Sequence, residues 1–176
     1  PPRSTLFPYT TLFRSIVRGI VRRGIPESKV AMVPNGCDLE LFDPERGESL
    51  RPDGTRSEDF LAVFTGAHGM ANGLDAVLDA ARVLKKQGRS DIKLVFIGDG
   101  KLKPALMKRA SDEHLDNCLF MDPVPKLKLT AYLRGADAGL MILANVPAFY
   151  YGTSPNKFFD YIAIGVPVLN NYPGWL

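Results

Sequence analysis

"LAVFTGAHGMANGLDAVLDAARVLKKQGRSDIKLVFIG", residues 61–98, sets one helical period between two short apolar runs. "LAVFTG" (61–66) and "KLVFIG" (93–98) read as buried strands. Between them, "GLDAVLDAARVLKKQG" (73–88) places Leu74, Val77, Leu78, Ala81 and Leu84 on one face, the spacing of an amphipathic helix. The alternation continues downstream. Strands are predicted over 118–122, 138–143 and 166–171, and helices over 103–114, 126–136 and 154–165. Ser154 should cap the last helix, with Pro155 in its first turn and Gly165 closing it.

Near-continuous apolar strands separated by helices indicate a parallel sheet covered on both faces. Right-handed crossovers make it a doubly wound α/β, Rossmann-like domain, in which ligands bind outside the carboxyl ends of the strands. Upstream, residues 16–21 have helical spacing before a stop at Gly24, and "KVAMVPNG" (29–36) reads as a short strand ending in a turn. Residues 37–59 are polar and rich in turn formers, as expected of a linker between two domains.

Composition bounds the function. The 176 residues are 45% hydrophobic and 23% charged, with a formal charge of +3, the balance of a globular protein with a sizeable core. No apolar run reaches the roughly 20 residues of a membrane span. Cys37 and Cys118 are too few for a disulfide framework, which favours a reducing, cytosolic setting. The head "PPRSTLFPYTTLFRS" (1–15) lacks the continuous apolar middle of a signal peptide. Its "TLFPYTTLFRS" resembles an in-frame translation of a sequencing adapter. We therefore expect residues 1–15 to be non-native and the natural protein to begin upstream. Without Arg3 and Arg14 the basic count falls from 22 to 20 against 19 acidic residues. No basic stripe for nucleic acid remains.

The loops after the strands carry the candidate chemistry. In "TGAHGMANG" (65–73), Gly66 and Gly69 allow close backbone approach to a ligand, and His68 could donate to a phosphate. The spacing is wrong for the dinucleotide Gly-x-Gly-x-x-Gly fingerprint. "DPVPKLK" (122–128) could present the backbone of Val124 to a nucleobase. "TSPNKFFDYIAIG" (153–165) is the most informative. A helix start offers free amides and partial positive charge; Ser154 and Asn156 add donors, and Lys157 adds a full charge. Asp160, one turn deeper, suits ribose hydroxyls, although an ion pair with Lys157 is the alternative. Phe158, Tyr161 and Ile162 read as core. His68 and His114 stand in no metal-ligand cluster, and no catalytic triad is apparent.

Together, "VPNGCDLELF", "GLDAVLDAA", "LVFIGDG" and "SPNKFFDYIAIGVPVL" resemble the C-terminal domain of GT-B-fold, retaining family 4 glycosyltransferases. The likeness is to bacterial surface-polysaccharide and O-antigen enzymes similar to L-fucosamine transferases. It implies a remnant of an N-terminal acceptor domain and hinge at 16–36, the linker at 37–59, and a C-terminally truncated nucleotide-sugar-binding domain at 60–176. It further implies a UDP-sugar donor as substrate, no cofactor or metal, and a saccharide or lipid-linked acceptor entering from the other domain. Donor binding would fall to Gly66, His68, Gly69, Asn72, Val124, Ser154, Asn156, Lys157 and Asp160; no catalytic residue is assigned.

The family's paired glutamates align with Gly152 and Asp160, and its usual Arg and Lys of the first loop with Ala67 and Asn72. Lys157 is then the local substitute for the phosphate-neutralising pair. The resemblance places the enzyme in the cytoplasm, with peripheral association of the full-length protein at the inner face of the membrane. This chain alone should bind nucleotide and transfer nothing. Rival readings are a sugar-nucleotide epimerase of similar architecture and a non-catalytic nucleotide-binding module.

Overall fold

A computed structural model describes residues 17–31, 33, 35–146 and 155–173. The main elements are β1 (Phe60–Thr65), α1 (Asp75–Lys86), β2 (Ile92–Ile97), α2 (Lys103–Asp112), β3 (Cys118–Met121), α3 (Lys126–Arg134), β4 (Ala138–Met141), α4 (Asn156–Ala163) and β5 (Val168–Asn170). The sheet order is β3-β2-β1-β4-β5, and every adjacent pair is parallel. This is the doubly wound α/β sheet expected from the alternation.

Strand geometry divides the core. Side chains alternate along β1, so Ala62 and Phe64 join one apolar cluster while Leu61 and Val63 join another. The first cluster takes Leu74, Val77, Leu78 and Ala81 from the α1 side. The second takes Leu133, Tyr161 and Ile164. Both faces of β1 are therefore covered, which is why its sequence is apolar without alternation. Each fully buried Leu or Phe contributes about 1.5–3 kcal/mol.

Two expectations need revision. Residues 17–21 are helical and Gly24 turns with φ of 91°, but no strand follows. Glu27–Lys29 form a 3-10 turn, and Val30, Ala31 and Val33 lie outside regular structure, with Val33 83% exposed. A strand needs a neighbour for its backbone groups, and among the described residues none pairs there. The last helix is shorter than expected, with Pro155 in extended geometry at its N-cap. Ser154, Gly152 and residues 1–15 lie outside the described residues.

The segment 37–59 has turns only, yet it is strapped to the domain. Phe42 is fully buried in the second cluster. Arg134 Nε donates to the Asp43 carbonyl at 3.0 Å. The Leu50 amide donates to the Ala131 carbonyl at 2.9 Å. We expect Phe42→Ala to destabilise the fold by about 3–5 kcal/mol, as for other buried Phe truncations. Urea unfolding checks this; a change below about 1 kcal/mol would mean the strap is detached from the core.

Candidate functional site at the sheet switch point

From β1 the chain winds outward through β2 and β3, then returns to β4 and β5 on the other side. Connections after β1 and β4 therefore diverge, which opens a crevice at their carboxyl ends. The crevice is rigidly framed. The Gly66 amide donates to the Ile97 carbonyl at 2.9 Å. A Cβ on Gly98, whose φ is 146°, would lie 2.0 Å from the Gly66 carbonyl oxygen, so only glycine fits. On the other side, the Ala144 amide donates to the Ala71 carbonyl at 2.9 Å. Lys103 closes the β2–β3 end through its Nζ, which donates to the carbonyls of Gly98 at 2.9 Å and Met121 at 3.0 Å and to Asp122 Oδ1 at 2.7 Å.

Tyr161 sets the position of α4. Its buried hydroxyl accepts from the Thr65 amide at 3.0 Å, pairs with Thr65 Oγ1 at 3.1 Å and donates to the Val63 carbonyl at 3.3 Å. Burial pushes its pKa to about 12, so it remains a phenol. Lys157 lies four residues earlier, on the same helical face one turn toward the N-terminus. The Tyr161 bond therefore aims Lys157 at the end of β1. There Nζ sits 3.8 Å from the Phe64 ring centroid. A Cβ on Gly66 would come within 3.4 Å of Nζ. Among the described residues, Lys157 has neither an ion pair nor a hydrogen bond, and burial lowers its pKa to about 8.

Asp160 is half-buried in the next turn of the helix. Burial raises its pKa, partly offset by Lys126, and its charge in turn helps push up the Cys37 thiol. No ion pair joins it to Lys157 among the described residues, so the alternative of a mutual salt bridge does not hold. Asn156 is exposed at the first position of α4. Val124 is half-buried, its side chain against the second core cluster, leaving its backbone as the group its loop can offer.

The loop after β1 differs from expectation in two places. Gly69 caps the 3-10 turn Met70–Asn72, and Asn72 Nδ2 donates to the Ala67 carbonyl at 2.6 Å. That bond closes the loop on itself. His68, expected to face a phosphate, is instead fully buried, because its ring fills a gap lined by Phe64, Phe96 and Phe120. Sequence reading treated Tyr161 as core and did not single out Lys103. Their polar roles depend on partners 96 and 19 or fewer positions away, which carry no local signal.

A groove of about 830 Å³ runs between the strap and α3, lined by Leu41, Leu50, Leu127 and Ala131 among others, and includes none of these site residues. Among the described residues, no group of three or more His, Cys, Asp or Glu could hold a metal ion, and no helix is long and apolar enough to cross a membrane.

The sheet and its crevice are one Rossmann-like half of a GT-B glycosyltransferase fold, as solved structures of that fold bear out. WaaG, a glycosyltransferase involved in lipopolysaccharide biosynthesis, aligns at 18% identity and a TM-score of 0.61, over 80% of this chain and 37% of its own. Anabaena HepE in complex with UDP and glucose aligns at 13% identity and a TM-score of 0.67, over 92% and 43%. The pneumococcal O-GlcNAc transferase GtfA in complex with UDP and GlcNAc aligns at 14% and 0.54, over 72% and 23%. The chain thus spans less than half the length of these proteins. Residues 59–171 match the family described as Glycosyl transferases group 1, and the chain belongs to that family. In sequence it matches no curated protein.

The unpaired ammonium has a stability signature. Between pH 8 and 10.5 the folded chain has released the Lys157 proton while the unfolded chain still holds it, so stability should rise with pH across that window. Relative to Lys157→Met, the wild type should gain roughly 2 kcal/mol between pH 8 and 10. Parallel stability curves for the two would show that the ammonium is solvated.

Proposed function

We propose that this chain is the donor-binding half of a glycosyltransferase that transfers a sugar from a UDP-sugar, with retention, to a surface-polysaccharide or lipid-linked acceptor. The observation that carries the reading is Lys157, a desolvated ammonium with no ion-pair or hydrogen-bond partner among the described residues, facing Gly66 at the sheet switch point. A buried cation lacking a counterion is costly, and a diphosphate would supply one. The missing Cβ of Gly66 leaves room for phosphate oxygens, and the start of α4 adds unpaired amides. Asn156 is a side-chain donor there, Ser154 lying outside the described residues; Asp160 is the partner for ribose hydroxyls, and the Val124 backbone the edge for the base. Uridine is favoured because two of the similar structures are UDP complexes.

In transfer, the bond between the sugar's anomeric carbon and the diphosphate oxygen breaks, the acceptor hydroxyl oxygen bonds to that carbon, and the hydroxyl proton passes to the departing diphosphate. Negative charge grows on the departing diphosphate. Lys157 and the loop amides stabilise that charge without reorganising, an electrostatic contribution to the transition state. The reading requires no metal or other cofactor. The acceptor enters from the second domain of the architecture, and the full enzyme works in the cytoplasm at the inner membrane face. By the same resemblance, the whole enzyme is similar to L-fucosamine transferase-like enzymes.

Calorimetry tests the donor site. Removing a charge-assisted contact costs about 1.5–3 kcal/mol. Lys157→Ala should therefore weaken UDP by about ten-fold or more, at roughly 1.4 kcal/mol per decade. An unchanged affinity removes Lys157 from the site. Because binding restores the Lys157 charge, wild-type affinity should fall as pH rises above about 8. Asp160→Asn should weaken UDP yet leave inorganic pyrophosphate nearly unaffected; equal losses for both would show that Asp160 only orders α4.

A further inference from the structure

The loop after β1 is inside out. Met70 is 77% exposed, whereas the ring of His68, two residues earlier, has no accessible surface. The cage around that ring is aromatic, with the centroids of Phe64, Phe96 and Phe120 at 5.9, 6.2 and 6.5 Å. Neither Nδ1 nor Nε2 has a hydrogen-bond partner among the described residues. An imidazole always has a donor to satisfy, so leaving both nitrogens unpartnered costs free energy that a leucine in the same cage would avoid. Conflicts of this kind between residue type and environment concentrate at functional sites.

Phe64 links the caged ring to the donor site. Lys157 Nζ lies over its face at 3.8 Å, and His68 packs against the same ring at a 45° tilt. The charged groups that act on His68 are Lys103 of α2, Asp99 of the β2 loop and Lys157 of α4. Burial first, then Lys103, keep the imidazole uncharged, with Asp99 opposing. The His68 backbone is held on both sides, donating to the Asp99 carbonyl at 2.8 Å and accepting from the Leu102 amide at 3.0 Å. Only its side-chain torsions are free to change. Ala67 and Asn72, in the same loop, supply no charge.

We propose that His68 is a second phosphate ligand of this site, stored beneath the β1 loop and turned outward by side-chain rotation when a nucleoside diphosphate enters. The inference rests on the donor-site reading above. Outside the cage, the ring meets phosphate oxygens, takes up a proton and supplies the second positive charge alongside Lys157. Met70, flexible and already at the surface, can cover the aromatic gap.

Two measurements on the full chain test this. In calorimetry at pH 6.5, His68→Leu should be at least as stable as wild type yet bind UDP about ten-fold more weakly. It should also lose the rise in affinity below pH 7 while keeping the fall above pH 8 that belongs to Lys157. In nitrogen NMR of histidine-labelled wild type, UDP or inorganic pyrophosphate should move the His68 ring signals to imidazolium values, and uridine should not. Full UDP binding by His68→Leu, or unmoved ring signals at saturating UDP, overturns the proposal and leaves the donor site standing. If wild type binds neither UDP nor pyrophosphate, the donor-site reading fails and this inference fails with it.

Discussion

The hydroxyl of Tyr161 on the backbone of Thr65 is the bond on which the geometry of the crevice depends. It fixes the rotation of α4 about its axis against the last residue of β1. Gly139 is needed for the same contact, because a Cβ there would lie 2.5 Å from the Tyr161 ring. With the helix locked, Lys157 has one direction to point, across Phe64 toward Gly66. A helix free to roll by one residue, about 100°, would carry the ammonium away from the strand end.

Charge is distributed unevenly around this lock. Other charges are paired: Arg109 holds Asp75 and Asp79 of α1 and Glu113 just beyond α2, and Lys103 holds Asp122. At the switch point, a lysine and a histidine share one aromatic ring, and neither has a hydrogen-bond or ion-pair partner among the described residues. Both are pushed toward their neutral forms by burial. Desolvated basic groups of this kind relieve that cost either by releasing a proton or by meeting an anion.

The strap from Cys37 to Asp59 shows how little polar composition says about attachment. Its sequence is that of a linker, and it does lack regular structure. Phe42, fully buried with Lys126 Nζ 5.3 Å from its ring centroid, anchors it to the domain together with the bonds from Arg134 to Asp43 and from Leu50 to Ala131. The strap thereby reaches the neighbourhood of Asp160 and Lys126.

Periodicity alone determined the class of fold, because strands buried on both faces must be apolar throughout and helices packed on them must be apolar on one side. It also placed each of the five strands and four main helices within a few residues of its position. Loop chemistry pointed to the ends of β1 and β4, since glycines and a helix start are read locally. The strand predicted over 29–36 failed because strands are defined by partners, and a short apolar run does not encode whether a partner exists. His68, Tyr161 and Lys103 were decided only in three dimensions. Whether a polar side chain faces ligand, backbone or an aromatic cage depends on residues distant in the chain, and the order β3-β2-β1-β4-β5 is what brings those residues together.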